Sequence, residues 1–131
     1  MDIVIDASAI IAVLASEPQR KALIELTRGA DLLAPHSVHW EIGNAFSAML
    51  RRNRISLEQV IAALQAYRAI PLRFLDVDLW ASLEIADALG IYAYDAYLIR
   101  CALWYKAPLM TLDLDLIRAA RRLDAQVIEV V

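Results

Sequence analysis

The chain predicts a three-layer α/β/α domain, a central parallel sheet of about four to five strands covered by helices on both faces. Three observations carry that expectation. Short strand-like runs alternate with longer segments of helical periodicity along all 131 residues. No Asn-Gly or Asp-Gly pair marks a hairpin, so successive strands need crossover helices. The composition, 60% hydrophobic with only 3 Gly and 4 Pro, suits one domain spanning 1–131 that buries its own core.

Asp2-Ile-Val-Ile-Asp6 is a β-branched run bounded by acids and reads as a buried first strand. Ser8 to Ala15 follows as a helix, and Pro18 fits the first turn of a second helix that ends near Gly29. Asp31 to Ala34 is a second strand, closed by Pro35. From Val38 to Arg52 the apolar residues Val38, Ile42, Ala45, Phe46 and Met49 recur at helical spacing. Ser56-Leu-Glu-Gln59 is a capping box that opens a helix running to about Arg68. Ile70 to Val77 reads as a third strand, Asp78 to Leu89 as a helix stopped by Gly90, and Tyr94 to Lys106 as another helix. Leu109 to Thr111 is a fourth strand, Asp113 to Leu123 a helix, and Val127 to Val131 a last strand.

Composition narrows the function. Cys101 is a single cysteine among apolar helix residues, with no disulfide partner and no zinc spacing, which predicts an inert buried thiol and a cytoplasmic protein. The apolar stretch Ala9 to Ala15 falls far short of the ~20 residues of a membrane span, and Asp2 and Asp6 precede it where a signal peptide carries Lys or Arg. A net charge of −3 argues against nucleic-acid binding through bulk basicity. The apolar excess predicts a subunit or partner interface.

Ligand sites on open parallel sheets lie beyond the carboxyl ends of the strands. Asp6 ends the first strand, Asp113 follows the fourth, Glu41 falls in the opening turns of the third helix, and Asp95 opens the helix that leads to the fourth strand. Each acid alone is explained by helix capping or the helix dipole. Their convergence is not, because clustered carboxylates repel unless a cation joins them. Hard oxygen ligands suit Mg²⁺ or Mn²⁺.

Asp6-Ala-Ser8 after the first strand, Glu41-x-x-Asn44 on a helix, Tyr94-Asp95-Ala96 opening a later helix and Thr111-x-Asp113 after a strand resemble, in order, the signature of PIN-domain ribonucleases. Asp-Ala-Ser and Thr-Leu-Asp, each followed by a helix, resemble the VapC toxins in particular. The resemblance covers essentially the whole chain. It implies a PIN-like fold and a Mg²⁺- or Mn²⁺-dependent endoribonuclease that forms a homodimer and is inhibited by a cognate VapB-like antitoxin. Asp6, Glu41, Asp95 and Asp113 match the acidic quartet that holds the metal and acts in catalysis. Ser8, Asn44 and Thr111 match the polar residues beside it. Asp115 leaves open which of Asp113 and Asp115 faces the metal.

Arg51, Arg52 and Arg54 form the densest basic cluster and either complement a helix C-terminus or touch an RNA backbone. Arg118, Arg121 and Arg122 read as a solvated face, His36 and His39 as structural, and Asp76, Asp78 and Asp115 as caps or solvated acids. Tyr92, Tyr94, Tyr97, Trp104 and Tyr105 read as packing in the core or in a dimer interface rather than as base-stacking platforms. Two other classes compete. A receiver or phosphatase-like Mg²⁺-binding domain wants a lysine after a late strand or an early Asp-x-Asp, and neither occurs. A non-catalytic PIN-like module that binds RNA or protein would have lost a carboxylate, and all four are in place.

Overall fold

Strands and helices alternate as the periodicity predicts in the computed structural model of the chain, which describes residues 1–130. Strand β1 (Asp2–Ile5) buries Ile3, Val4 and Ile5 in succession, so this continuous apolar run lies at the centre of the sheet. Beside it lie β2 (Asp31–Pro35), β3 (Leu72–Leu75), β4 (Leu109–Met110) and β5 (Val127–Ile128), in the order β3-β2-β1-β4-β5. Every pairing is parallel.

The chain moves outward from β1 through β2 to β3, then returns to the other side of β1 for β4 and β5. The direction reverses between β1 and β4, where Ile5 faces Met110 in register. Right-handed crossovers put α1 (Ala7–Leu14), α2 (Arg20–Thr27), α3 (Ser37–Arg51) and α4 (Leu57–Arg68) on one face. The other face carries α5 (Leu79–Leu89), α6 (Ala93–Tyr105) and α7 (Leu114–Arg122). Buried Ile10, Leu23, Val38 and Ile42 pack beneath the first layer, and Leu98, Ile99 and Leu116 beneath the second. None of the described helices is long and apolar enough to cross a membrane.

Local chemistry sets the boundaries. Ser56 and Gln59 form the expected capping box at the start of α4, and Gly90 ends α5 in a left-handed conformation at φ 64° that suits a residue without Cβ. The third strand is shorter than Ile70 to Val77, because Pro71 has no N–H to give and β3 is an edge with one neighbour. Helix α2 starts at Arg20, with Pro18 in the preceding turn rather than inside the helix. Thr111 leaves the β4 ladder and turns its hydroxyl to side chains instead. The last strand covers only Val127–Ile128, and Val131 lies outside the described residues.

Candidate active site

The switch point between β1 and β4 is where a doubly wound sheet opens a crevice at its carboxyl edge. Asp6, the residue after β1, caps α1: its Oδ1 accepts from the Ala9 N–H at 3.0 Å. Only 5% of Asp6 is exposed, so its remaining lone pairs need donors. Thr111 supplies one from the end of β4, its Oγ1 donating to Oδ2 at 2.5 Å. Ser8 supplies another, its hydroxyl lying 2.8 and 2.9 Å from the two carboxylate oxygens.

The same two hydroxyls fasten the β4–α7 turn. Ser8 Oγ accepts from the Leu112 N–H and Thr111 Oγ1 from the Asp113 N–H, both at 3.0 Å. Asp113 then caps α7, its Oδ1 accepting from the N–H groups of Asp115 and Leu116. Ser8 and Thr111 therefore join the ends of the two central strands through Asp6.

Glu41, in the second turn of α3, and Asp95, in the first turn of α6, complete the cluster from the two helical layers. Burial pushes the Asp6 carboxyl above its usual range, opposed by its three hydrogen bonds and aided by the charge of Asp113. Burial, and then the charges of Asp6 and Asp95, push Glu41 up to about 7. Asp95 is raised by burial and by Asp113, Asp6 and Asp115. Each shift records first the cost of burying a carboxylate and then the charge of its acidic neighbours. Glu41 Oε1 is in addition buried without a hydrogen-bond partner.

Such a site suits a hard divalent cation. Its donors are carboxylate oxygens, and one of them is orphaned. Among the described residues no group of three or more His, Cys, Asp or Glu is drawn together closely enough to ligate an ion alone.

A groove of about 490 Å³ opens beside the acids, lined by Ser8, Glu41 and Asp113 and by apolar Ile11, Ala45 and Leu112. Glu17 and Gln19 also line it. Neither was marked by a motif or by periodicity, since both lie in the irregular link between α1 and α2 and reach the acids only through the fold. Glu17 also borders a second hollow between α1, α3 and α4 that includes Arg54.

Other expectations separate here. Asn44 is exposed on α3 and takes no part in the hydrogen bonds that join Asp6, Ser8 and Thr111. The Asp115 side chain is 89% exposed and pairs with Arg118 at 3.0 Å, whereas Asp113 lines the groove. His39 Nδ1 meets the Tyr67 hydroxyl at 2.9 Å and His36 pairs with Asp76, and neither histidine lines the groove. Cys101 is fully buried and its thiol is pushed up to about 12 by burial. Lys106 ends α6 ahead of β4, at the opposite edge of the sheet from the acids. Core packing is the wrong reading for Tyr92 and Trp104, which are 86% and 64% exposed, because α6 turns them outward at both of its ends.

The PIN domain family model matches residues 3–122. The chain is 34% identical over 115 residues to a VapC ribonuclease of Mycobacterium bovis, covering 87% of each protein. It is equally similar, over the same length, to Ribonuclease VapC9 of Mycobacterium tuberculosis. Among solved structures, PAE2754 from Pyrobaculum aerophilum superposes with a TM-score of 0.72 at 24% identity, over 96% of this chain and 91% of that one. VapBC2 from Rickettsia felis, bound to a DNA fragment from its promoter, gives 0.68 at 15% identity over 98% of both chains. These two likenesses carry the fold.

Proposed function

The chain belongs to the PIN domain family, and from that premise we propose that it is a VapC-type endoribonuclease toxin that cuts RNA phosphodiesters with Mg²⁺ or Mn²⁺. The observation that carries the reading is the cluster of Asp6, Glu41, Asp95 and Asp113, three of them raised in pKa by burial and by one another's charge, with Glu41 and Asp113 lining one groove. Asp6, Asp95 and Asp113, with Glu41 beside them, would hold one or two cations. The chemistry such an ion supplies when bound is a water acidic enough to attack at neutral pH and positive charge opposite the phosphate.

The chain's own residues do the rest. Ser8 and Thr111 lock the Asp6 rotamer, so the carboxylate need not reorganise when substrate arrives. Glu41 takes up or gives up a proton near pH 7, beside the place where the phosphate would sit. Cation binding must compete with that proton. The gain in melting temperature on adding Mg²⁺ is therefore expected to be largest above pH 7 and to shrink as pH falls through 7. A scan of melting temperature from pH 5 to 8.5 checks this, and a flat Mg²⁺ response would remove Glu41 from the site.

Bound cations also reconcile a net charge of −3 with an anionic substrate. Arg51, Arg52 and Arg54 are exposed at the end of α3, and Arg54 borders the hollow that shares Glu17 with the acid groove. RNA running along both would meet these guanidiniums. Arg51→Ala and Arg52→Ala are each expected to weaken RNA binding and to lower the salt slope by about 1. Unchanged salt dependence in both would restrict the cluster to the helix terminus.

Exposed Leu79, Trp80 and Leu83 on α5 and Trp104 on α6 offer the apolar surface on which a homodimer would form. The likeness to VapBC2 supports a VapB-like antitoxin as inhibitor, and an RNA substrate is in keeping with a cytoplasmic protein.

The test is incubation of the purified chain, freed of antitoxin, with total cellular RNA and Mg²⁺, Mn²⁺ or EDTA, beside Asp95→Asn. Discrete fragments that require the metal and vanish in the variant are expected. Cleavage that persists in EDTA, or in Asp95→Asn, would overturn the mechanism.

A further inference from the structure

A separate hollow of about 210 Å³ lies where β2 and β3 end, lined by Pro35 and His36, by Leu75 and Asp76, and by Tyr97 of α6. Three elements tie it to the acids. Ser37, which also lines it, stands four residues before Glu41 on α3, so the two share one helix face a single turn apart. Tyr97 follows Asp95 by two residues on α6. The β1–β2 register, carried on by two residues from the Val4–Leu33 pair, brings Pro35 level with Asp6 on the neighbouring strand.

The lining suits an uncharged ring better than a phosphate. None of the described lining residues is Lys or Arg, and Asp76 would repel an anion. His36 stacks on Phe74 with ring centroids 5.9 Å apart and planes at 18°, and 64% of its side chain stays exposed. Phe74 does not line the hollow, so His36 borders it with a surface other than the one turned to Phe74. Its Nε2 lies 3.2 Å from Asp76 Oδ1, a contact that favours one ring position. The volume falls below the ~300 Å³ at which pockets begin to take drug-sized ligands, room for one base rather than a whole nucleotide.

We propose that this hollow seats an unpaired base of the RNA beside the scissile phosphate, with the His36 ring as its stacking partner. The proposal rests on the ribonuclease reading above and adds a residue that positions the strand. Bases flank every phosphate of a strand, so a phosphate held at the acids brings a base to the adjoining hollow. Stacking uses the π-face that every base has, and therefore tolerates any sequence but requires a base that is not paired in a duplex. Leu79 also borders the hollow and belongs to the surface offered above for a homodimer, which makes a second copy of the chain the rival occupant.

His36 is exposed and makes no capping hydrogen bond, so its replacement should leave α3 folded. Labelled hexaadenosine and a hexamer of abasic ribose phosphates would be titrated in Mg²⁺ against the full chain carrying Asp95→Asn, which prevents cleavage. Hexaadenosine should bind more tightly than the abasic hexamer. His36→Ala should weaken hexaadenosine binding about tenfold and leave the abasic hexamer unaffected, the scale of one lost stacking contact. His36→Phe, which keeps a ring, should restore the difference. Equal binding of the two hexamers, no binding of hexaadenosine, or an unchanged affinity in His36→Ala would each overturn the proposal. A His36→Ala chain that binds as before but sediments as a smaller species would give the hollow to a second copy, and overturn it likewise. In the otherwise wild-type chain, His36→Ala should raise KM for RNA about tenfold with kcat nearly unchanged. Absence of cleavage by the wild-type chain, with stacking on His36 intact, would strike the nuclease reading and leave the base seat standing.

Discussion

Asp95→Asn is expected to lower RNA cleavage by about a hundred- to a thousandfold, the scale on which one preorganised electrostatic group is lost from an active site. The same substitution is expected to stabilise the metal-free protein. Asp95 is raised above the ordinary carboxylate value by burial and by the charges of Asp113, Asp6 and Asp115. A carboxyl whose folded pKa is raised contributes stability that is complete below its unfolded pKa and is lost as pH rises through the folded value. Above that value the ionised Asp95 is a net cost, which asparagine removes at nearly constant shape. In EDTA the melting temperatures of variant and wild type should lie close together near pH 4, with the variant increasingly higher toward pH 8. Mg²⁺ should narrow the gap by raising the wild type. A variant that melts lower than wild type at pH 8 in EDTA would show that Asp95 is held by structural bonds instead.

Asp6→Ala should do the opposite to stability. Asp6 accepts from Ala9 N–H, Thr111 Oγ1 and Ser8 Oγ, and is itself buried. Alanine removes a helix cap, typically worth ~1 kcal/mol, and strands hydroxyls at the junction of β1 and β4 at about 1–3 kcal/mol for each buried unpaired group. Relief of repulsion with Asp113 and Glu41 offsets part of this. A net loss of about 2–4 kcal/mol is expected in urea unfolding, together with loss of cleavage. Asp6→Asn retains an acceptor for Ala9 N–H and should recover much of the stability while remaining inactive. The pair thus separates the architectural role of Asp6 from its chemical one, and equal stability of Asp6→Ala and wild type would refute the former.

These contrasts bear on how far the site was legible from the residues. Asp6, Asp113 and Asp95 stand where a strand ends or a helix begins, positions that an acid occupies for local reasons of capping and dipole. Strand order was not needed to expect them at one edge, because helices after parallel strands all start there. Ser8 and Thr111 followed from the short motifs around those acids, and both lie against Asp6. Asn44 shares the Glu41 helix yet stands exposed, since a spacing of three on a helix fixes relative direction and not distance from a third element.

Periodicity, caps and breakers are local, so they determined the order of five strands and seven helices, the parallel sheet and the edge on which the acids gather. Which of two neighbouring acids turns toward the groove depended on the α7 cap: Asp113 takes the capping position, and Asp115, two residues later, turns out to Arg118. The entry of Glu17 and Gln19 into the groove wall and the exposure of Trp80 and Trp104 were likewise settled only in three dimensions. Contacts between residues far apart in sequence depend on how whole layers pack across the reversal between β1 and β4. No local pattern in the chain records that packing.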